Sequence, residues 1–244
     1  MDNMVKTLCI VQARLTSTRL PNKVLIKLGQ SNKTVLEHVY ERFLQSKKID
    51  KVVFAIPNTE LNNPLEDFLK GKTIPYFRGD ENNVMSRFFE CAKLYKPEYL
   101  VRATCDNPCV DWIMADNMIE YIDKTHLDYV MYDNAPIGSG VEVFTYKSFE
   151  EVQRIASSEP EFEHVTYCYE LHPDLFKTGL YKYNKDLPEH YRLTMDEDLD
   201  NTFMQKVYNE LYNGSPFTNE LLYEYLKENH HLLNINKNVI QKTV

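Results

Sequence analysis

TLCIVQARLTSTRLPNK, residues 7–23, places an apolar run directly before a basic loop. The run occupies residues 7–13 and ends at Arg14. An unbroken apolar run of this length is typical of a strand that is buried on both faces of a parallel sheet. We therefore predict a buried parallel strand here, with the basic loop leaving it at the carboxyl end.

The same alternation continues beyond this stretch. Short apolar runs predict further strands at residues 51–56, 74–77, 99–103, 129–131 and 141–145. Apolar residues at helical spacing predict helices at residues 35–44, 63–70, 84–92 and 113–122. Strands that alternate with helices over short connections predict an α/β fold, with a mostly parallel sheet covered by helices on both faces.

The last third of the chain is less regular. Helices are predicted at residues 162–171, 199–211 and 217–227, and strands at residues 180–183 and 191–195 that form a small excursion from the sheet. No internal repeat or Gly/Ser-rich linker divides the chain. We predict one domain over residues 1–229 and a polar C-terminal tail over residues 230–244, either frayed or packed on a partner.

Charge and composition exclude several classes of protein. Lysine and arginine number 28 against 36 aspartates and glutamates, so the net charge of −8 argues against a nucleic-acid partner, which needs a basic face. No apolar run approaches the ~18 residues of a membrane span. Five irregularly spaced cysteines predict reduced thiols and a cytoplasmic protein rather than a disulfide framework.

The loop after the first strand has the composition of a polyphosphate site. Arg14, Arg19 and Lys23 lie within ten residues, and the hydroxyls of Ser17 and Thr18 lie between the arginines. In open α/β sheets, ligands bind beyond the carboxyl ends of the strands. Guanidinium groups and an ammonium suit phosphate oxygens. A solvated basic loop is an equally good interpretation of this stretch alone, and it matches neither glycine-rich phosphate motif.

Two aspartates are placed to approach this loop. Asp106 follows the strand at residues 99–103, and Asp196 follows the strand at residues 191–195. Two carboxylates beside a triphosphate can hold Mg²⁺. Taken singly, Asp106 is also typical of an Asp-Asn-Pro turn, and the acidic residues 196–198 of a helix cap.

An ordered set of short strings resembles the cytidylyltransferases that activate acidic sugars. STRLPNK, residues 17–23, is similar to a string of the 3-deoxy-manno-octulosonate enzymes, which are related to the acylneuraminate enzymes, and the whole chain most resembles the spore-coat-polysaccharide type. The supporting strings extend from residue 7 to about residue 211: FRGD (77–80), VMSRF (84–88), VRATCDNP (101–108), GVEVF (140–144), EHVT (163–166) and RLTMD (192–196).

This resemblance implies a Rossmann-like nucleotide-diphospho-sugar transferase fold, usually as a homodimer. It implies transfer of CMP from CTP to a keto-sugar acid, with Mg²⁺ as cofactor and pyrophosphate as leaving group, for surface polysaccharide biosynthesis. The implied catalytic residues are Arg14, Lys23 and Asp106, and the implied metal ligands are Asp106 and Asp196. The implied nucleotide-binding residues are Gln12, Ala13, Arg14, Ser17, Arg19, Lys23, Arg78 and Asp106, with Arg78 alternatively at the acceptor. The implied acceptor-binding residues are Arg102, Glu142, His164 and Arg192.

The sequence departs from the family pattern at two positions. Cys105 stands where glycine is common, and Thr16 where glycine or alanine is common. A larger side chain changes how closely the backbone can approach a nucleotide. We therefore expect an unusual acceptor pocket or reduced activity.

Three other functions fit parts of the pattern. The first is a nucleotidyltransferase that uses another nucleotide, or a phosphorylated polyol or phosphonate acceptor. The second is a nucleotide-sugar glycosyltransferase, with Asp196-Glu197-Asp198 as an Asp-x-Asp metal motif. The third is a degenerate nucleotide-binding protein, which the departures at Thr16 and Cys105 favour and the retained charged residues oppose.

Overall fold

The computed structural model describes residues 5–183, Leu187 and residues 191–241. One seven-stranded sheet has the strand order β3-β2-β1-β4-β6-β5-β7. The strands are β1 Thr7–Gln12, β2 Lys51–Pro57, β3 Tyr76–Gly79, β4 Tyr99–Thr104, β5 Tyr129–Asp133, β6 Glu142–Thr145 and β7 Thr178–Lys182. The predicted α/β fold with a mostly parallel sheet is confirmed.

Helices cover both faces of this sheet. They are α1 Val35–Phe43, α2 Asn63–Gly71, α3 Val84–Tyr95, α4 Trp112–Thr125, α5 Tyr146–Ile155, α6 Glu159–Glu163, α7 Tyr167–Leu171, α8 Asp198–Leu211 and α9 Asn219–Glu228. Side chains of a strand alternate between faces. Accordingly, Leu8 and Ile10 lie in one core with α3 and α5, and Cys9 and Val11 lie in the opposite core with α1 and α4. In the part of the chain that is described, no helix is both long and apolar enough to cross a bilayer.

Strand β6 runs antiparallel to β4 and β5, because the short connection after Asp133 cannot hold a crossover helix. The predictions of helices in the later part of the chain were less accurate. The helix predicted at residues 162–171 is two short helices, α6 and α7, that are separated around His164. Helix α5 was not predicted.

Segment 191–195 forms no strand ladder, although it was predicted as a strand. It makes one isolated parallel bridge, between Ile137 and Arg192. The backbone of Gly138 has a φ of +86°, and a Cβ there would lie 2.6 Å from the carbonyl carbon of Leu193. Glycine at this position therefore lets the segment cross close to the sheet edge.

The described part of the tail packs on its own chain. Residues His230–Asn234 form a 3₁₀ helix, and Asn236 is 2% exposed. The Asn236 amide donates hydrogen bonds to the carbonyl of Arg192 at 3.1 Å and to Asp200 Oδ1 at 3.0 Å. Residues 230–241 therefore help to hold the segment that leads to Asp196.

Replacing Gly138 with alanine tests the importance of this close approach. Gly214 is a matched control, because its φ of +107° is also left-handed but nothing lies within 4 Å of its Cβ position. We expect Gly214→Ala to cost about 1–2 kcal/mol through backbone strain alone. Gly138→Ala should cost clearly more in urea unfolding, since residues 193–194 must also move. Equal costs for the two variants would show that the close approach does not matter.

Candidate active site

The loop between β1 and Lys23 is held by its apolar side chains. Leu15, Leu20 and Val24 are buried against the core, and the backbone N–H of Leu15 donates to Asn62 Oδ1 at 2.9 Å. Asn22 adopts a left-handed conformation with φ 56°, which asparagine tolerates better than most residues. The loop is therefore anchored on one side, and its polar side chains face a cavity on the other.

The end of β4 is fixed by hydrogen bonds around Asp106. The register pairs Gln12 of β1 with Thr104 of β4, so both strands end at the same sheet edge. The Thr104 hydroxyl donates to Asp106 Oδ1 at 2.6 Å. The backbone N–H of Met195 donates to the carbonyl of Asp106 at 2.8 Å. This last bond brings Asp196, ninety residues later, beside Asp106.

Lys23 lies between the two aspartates. Its ammonium is 2.5 Å from Asp106 Oδ2 and 2.8 Å from Asp196 Oδ1. Arg19 Nη2 also lies 3.2 Å from Asp196 Oδ1. Burial alone would lower the pKa of Lys23, but the two carboxylates raise it above its ordinary value. Burial alone would raise the pKa of Asp196, but Lys23, Arg19 and other cations lower it. Lys23 and Asp196 therefore carry their charges as a buried ion pair.

Asp196 is held from behind by Asp200 and Arg192. Asp200 is fully buried and accepts hydrogen bonds from Arg192 Nε at 2.8 Å and Nη2 at 3.0 Å. Its Oδ2 also accepts from the backbone N–H groups of Asp196 at 3.0 Å and Glu197 at 3.1 Å. Arg192 Nη2 is 3.1 Å from Asp196 Oδ2. The second oxygen of Asp196 is therefore fixed while its first oxygen faces Lys23.

A cavity of about 500 Å³ opens at this sheet edge. That volume lies within the usual range for small-molecule sites. Its lining residues are Gln12, Ala13, Arg14, Thr16, Ser17, Thr18, Arg19, Lys23, Val24, Thr104, Cys105, Asp106, Glu163 and Asp196. Three of these carry a positive charge and three a negative charge. The Nη1 atom of Arg19 makes no hydrogen bond with any described residue, although Glu197 Oε1 lies 3.6 Å away. Arg19 can therefore still donate to an anion in the cavity.

The structure brings eight of the predicted site residues together here and places five elsewhere. Those in the cavity lining are Gln12, Ala13, Arg14, Ser17, Arg19, Lys23, Asp106 and Asp196. Those outside the lining are Arg78, Arg102, Glu142, His164 and Arg192. Arg192 contacts the site through Asp196 rather than facing the cavity.

Arg102 and Glu142 form a partly buried pair between the neighbouring strands β4 and β6. Glu142 Oε1 also accepts hydrogen bonds from the Tyr129 hydroxyl at 2.7 Å and the Thr166 hydroxyl at 2.8 Å. Burial would raise the pKa of Glu142, but Arg102 and these hydroxyls lower it below its ordinary value. Arg102 Nε makes no hydrogen bond within the described ranges. The pair is therefore charged and largely satisfied internally.

Arg78 and His164 have other partners. The Arg78 guanidinium pairs with Glu66 of α2 and donates to the carbonyl of Thr59 at 3.0 Å. His164 lies between α6 and α7. Its ring is edge-on to that of Tyr167, with 6.4 Å between the ring centroids. Neither side chain reaches the cavity, so a direct role of Arg78 in nucleotide binding requires a rearrangement.

Two alternative chemistries are poorly supported by this geometry. Cys105 is 1% exposed, and burial together with Asp106 raises the pKa of its thiol well above the ordinary value, so it is not an activated nucleophile. Asp198 is exposed at the start of α8 and is not part of the cavity lining. Asp196 and Asp198 therefore do not converge as the glycosyltransferase interpretation requires.

Comparison with known proteins identifies the family of the chain. The family model of cytidylyltransferases matches residues 8–236. The chain belongs to the cytidylyltransferase family. It is 35% identical over 211 residues to the spore coat polysaccharide biosynthesis protein SpsF of Bacillus subtilis, covering 82% of this chain and 85% of that protein. It is 36% identical over 244 residues to an uncharacterised protein of Methanocaldococcus jannaschii, covering 98% of both chains. A solved cytidylyltransferase from Leptospira borgpetersenii has a TM-score of 0.86 and 26% identity, covering 98% of this chain and 100% of that one.

Four residues at or near the cytidylyltransferase site had no predicted role. Thr104 and Glu163 line the cavity, and Asp200 holds Asp196 in place. Arg87 is buried, and its burial and the charge of Arg14 lower the pKa of Arg87 to about 10. Glu163 and Arg87 could have been found from the sequence, because they belong to the family-like strings EHVT and VMSRF. Asp200 had none, because a carboxylate early in a helix also fits an ordinary cap.

Asp200→Asn tests the support of Asp196 in this cytidylyltransferase. The substitution keeps the shape of the side chain but leaves the buried Arg192 with less compensating charge. We expect the free energy of unfolding, measured in urea, to fall by about 3 kcal/mol. This is the lower end of the usual cost of breaking a buried ion pair, because Asp196 still faces Arg192. Asp198→Asn, two residues earlier and exposed, should change stability by no more than about 0.5 kcal/mol. Similar effects of both substitutions would show that Asp200 is not a support.

Proposed function

We propose that this chain transfers CMP from CTP to a keto-sugar acid, releasing pyrophosphate, in the synthesis of a surface polysaccharide. The convergence of Arg14, Arg19 and Lys23 with Asp106 and Asp196 on one cavity carries the proposal. Cations suit the triphosphate, and the carboxylates suit a divalent ion beside it. The similarity to SpsF, whose name states a role in spore coat polysaccharide biosynthesis, supports a role in polysaccharide synthesis.

The charges of the cavity favour Mg²⁺ as the cofactor. The lining holds three cationic and three acidic side chains, so it has no net positive charge with which to receive a triphosphate. Asp106 Oδ2 and Asp196 Oδ1 already share one cation, the Lys23 ammonium. Carboxylate oxygens are the ligands that Mg²⁺ prefers. The donor set fits, and Asp106 and Asp196 would hold the ion.

The residues of the chain perform three tasks in this mechanism. Arg14 and Arg19 bind the outer phosphates, and Lys23 turns from the aspartates to the triphosphate as it arrives. The loop backbone at Gln12 and Ala13 lies against the base. When bound, Mg²⁺ would neutralise the charge that develops on the α-phosphate.

Transfer then requires no covalent intermediate with the protein. The acceptor hydroxyl oxygen forms a bond to the α-phosphorus, the bond from that phosphorus to the bridging oxygen breaks, and the hydroxyl proton is released. Arg14, Arg19 and Lys23 stabilise the departing pyrophosphate. Positioning and preorganised charge can supply the catalysis.

The acceptor is proposed to lie towards α6 and α7. Glu163, at the end of α6, lines the cavity, and Thr166 three residues later donates to Glu142. This segment therefore connects the cavity to the Arg102–Glu142 pair, and His164 lies within it. To recognise a sugar-acid carboxylate, the Arg102 guanidinium would have to hydrogen-bond to Glu142 and to the acceptor at the same time. The family resemblance further suggests a homodimer that acts in the cytoplasm.

Pyrophosphate release from CTP tests the reaction. We expect wild-type protein with Mg²⁺ and a panel of keto-sugar acids to release pyrophosphate, and Asp196→Asn to reduce the rate by about 100-fold or more. Asp198→Asn is the matched control and should retain the wild-type rate. Absence of pyrophosphate release from CTP in the wild type, together with release of free nucleoside diphosphate from a nucleotide-sugar donor, would instead indicate a glycosyltransferase.

The donor is tested separately by thermal unfolding with CTP, UTP, GTP or ATP, each with and without Mg²⁺. A ligand at 100 times its Kd stabilises the native state by about 2.7 kcal/mol. We expect this shift with CTP and Mg²⁺, and its loss in Asp106→Ala. A preference for UTP or GTP would contradict the cytidylyl assignment, and no shift with any nucleotide would favour a degenerate protein.

Lys23→Met tests the exchange of Lys23 for a metal ion. In the wild type, the Lys23 ammonium lies where both aspartates can reach a cation, so Mg²⁺ without nucleotide should hardly change Tm. In Lys23→Met the two carboxylates lack this partner, and Mg²⁺ alone should raise Tm while CMP transfer falls by about 100-fold or more. Lys27→Met, an exposed control, should behave as wild type. Equal Mg²⁺ shifts in all three proteins would contradict the exchange.

A further inference from the structure

Three side chains of the kinds that can bind a metal meet outside the cavity, in α6, in α7 and at the residue that follows α7. The ligand atoms of Glu161, Cys168 and His172 all lie within 4.8 Å of one another. Cys168 and His172 are one helical turn apart, and the backbone N–H of His172 donates to the carbonyl of Cys168 at 3.1 Å. The two side chains therefore project from the same side of this turn, and Glu161 of α6 faces them.

The Glu161 carboxylate is fixed in place before any ligand arrives. Its Oε2 accepts hydrogen bonds from the Ser158 hydroxyl at 2.7 Å, the Ser158 backbone N–H at 2.9 Å and the Ser157 N–H at 3.1 Å. Its Oε1 faces the cluster, 3.3 Å from His172 Nε2. Hydrogen bonds of this kind orient the carboxylate ligands of metal sites.

This carboxylate is buried and charged without a permanent cation. The Glu161 side chain is 3% exposed, and no lysine or arginine in the described residues lies within 4.0 Å of it. Burial would raise the pKa of Glu161, but its hydrogen bonds lower it to about 2. A buried carboxylate is normally paired with a cation or bound to a metal. The partners within the cluster are His172, which is charged only when protonated, and the Cys168 thiol, which donates a hydrogen bond to Glu161 and whose pKa burial and Glu161 raise to about 12.

We propose that Glu161 Oε1, Cys168 Sγ and His172 Nε2 bind a Zn²⁺ ion. Carboxylate, thiolate and imidazole are all zinc ligands, whereas the thiolate disfavours Mg²⁺. The His172 side chain is 38% exposed, so water can occupy a fourth position on that side. As the zinc–sulfur bond forms, the Cys168 thiol releases its proton to solvent, and no electron is transferred.

The position of this site gives it a consequence for the cavity. Glu163 and Thr166 both lie in the short segment between Glu161 and Cys168. Glu163 lines the cavity, and Thr166 holds Glu142. A metal that ties α6 to α7 therefore stiffens the wall of the cavity. The zinc site does not depend on the proposed reaction, and either can fail without the other.

The test uses the full chain after treatment with a chelator. Zn²⁺ is titrated in competition with a chromophoric chelator, and Co²⁺ is used as a spectroscopic probe. We expect one equivalent of Zn²⁺ to raise Tm by several degrees, and Co²⁺ to give a thiolate-to-cobalt charge-transfer band. An oxygen-ligand site such as Asp106–Asp196 cannot produce that band.

Five variants test the ligands. Cys168→Ser should lose the charge-transfer band, and His172→Gln should no longer bind one equivalent of Zn²⁺ tightly. Cys91→Ser and His231→Gln are matched controls that should retain both properties. Ser158→Ala should weaken zinc binding by about 10-fold through loss of the orienting hydrogen bond. Because His172 is partly exposed, His172→Gln remains informative if Cys168→Ser does not fold.

Two results would overturn the site. One is absence of the band and of any zinc-dependent change in Tm in the wild type, which would leave the cluster as an ion pair beside a buried cysteine. The other is retention of full zinc affinity in His172→Gln and of the band in Cys168→Ser.

Discussion

Two ionised carboxylates that lie side by side at the edge of a sheet repel each other unless a cation lies between them. In this protein the cation is the Lys23 ammonium, 2.5 Å from Asp106 and 2.8 Å from Asp196. Each of the three residues comes from a different part of the chain: the loop after β1, the end of β4 and the segment before α8. Lys23 and Asp196 are buried and Asp106 is partly buried, so loss of the ammonium would leave the carboxylates without a compensating charge. The arrangement of these three segments at the sheet edge thus depends on charge balance as well as on apolar packing.

The backbone contacts around the aspartates show how that balance is made possible. The N–H of Met195 bonds to the carbonyl of Asp106, and Gly138 leaves room for segment 191–195 to approach. Arg192 and Asp200 then fix Asp196, and Asn236 of the tail adds a hydrogen bond to Asp200. The tail is therefore part of the support of the site, although its sequence is polar and weakly patterned.

Apolar patterning was sufficient to predict most of the fold, because buried strands and amphipathic helices differ in period. It could not distinguish the antiparallel β6 from a parallel strand, since both are buried on two faces. The loop residues of the site were predictable because their charges cluster in sequence. The partners of Arg78 and Arg192 could not be predicted, because tertiary packing determines which carboxylate each guanidinium contacts. Arg78 pairs with Glu66, and Arg192 pairs with Asp200 and Asp196. Sequence shows which residues carry charge, and only the fold shows which of these charges are already paired.

That distinction matters most for Lys23, because an ammonium that is paired with two aspartates is not free to bind phosphate. The cavity lining contains equal numbers of cationic and acidic side chains, so a triphosphate that entered alone would meet no net attraction. In the proposed mechanism, a nucleotide that arrives with a divalent ion would change this balance, because the ion would replace Lys23 between the carboxylates. Lys23 would then turn towards the phosphates and add positive charge there. On this proposal, the site binds the metal–nucleotide complex more tightly than either component alone.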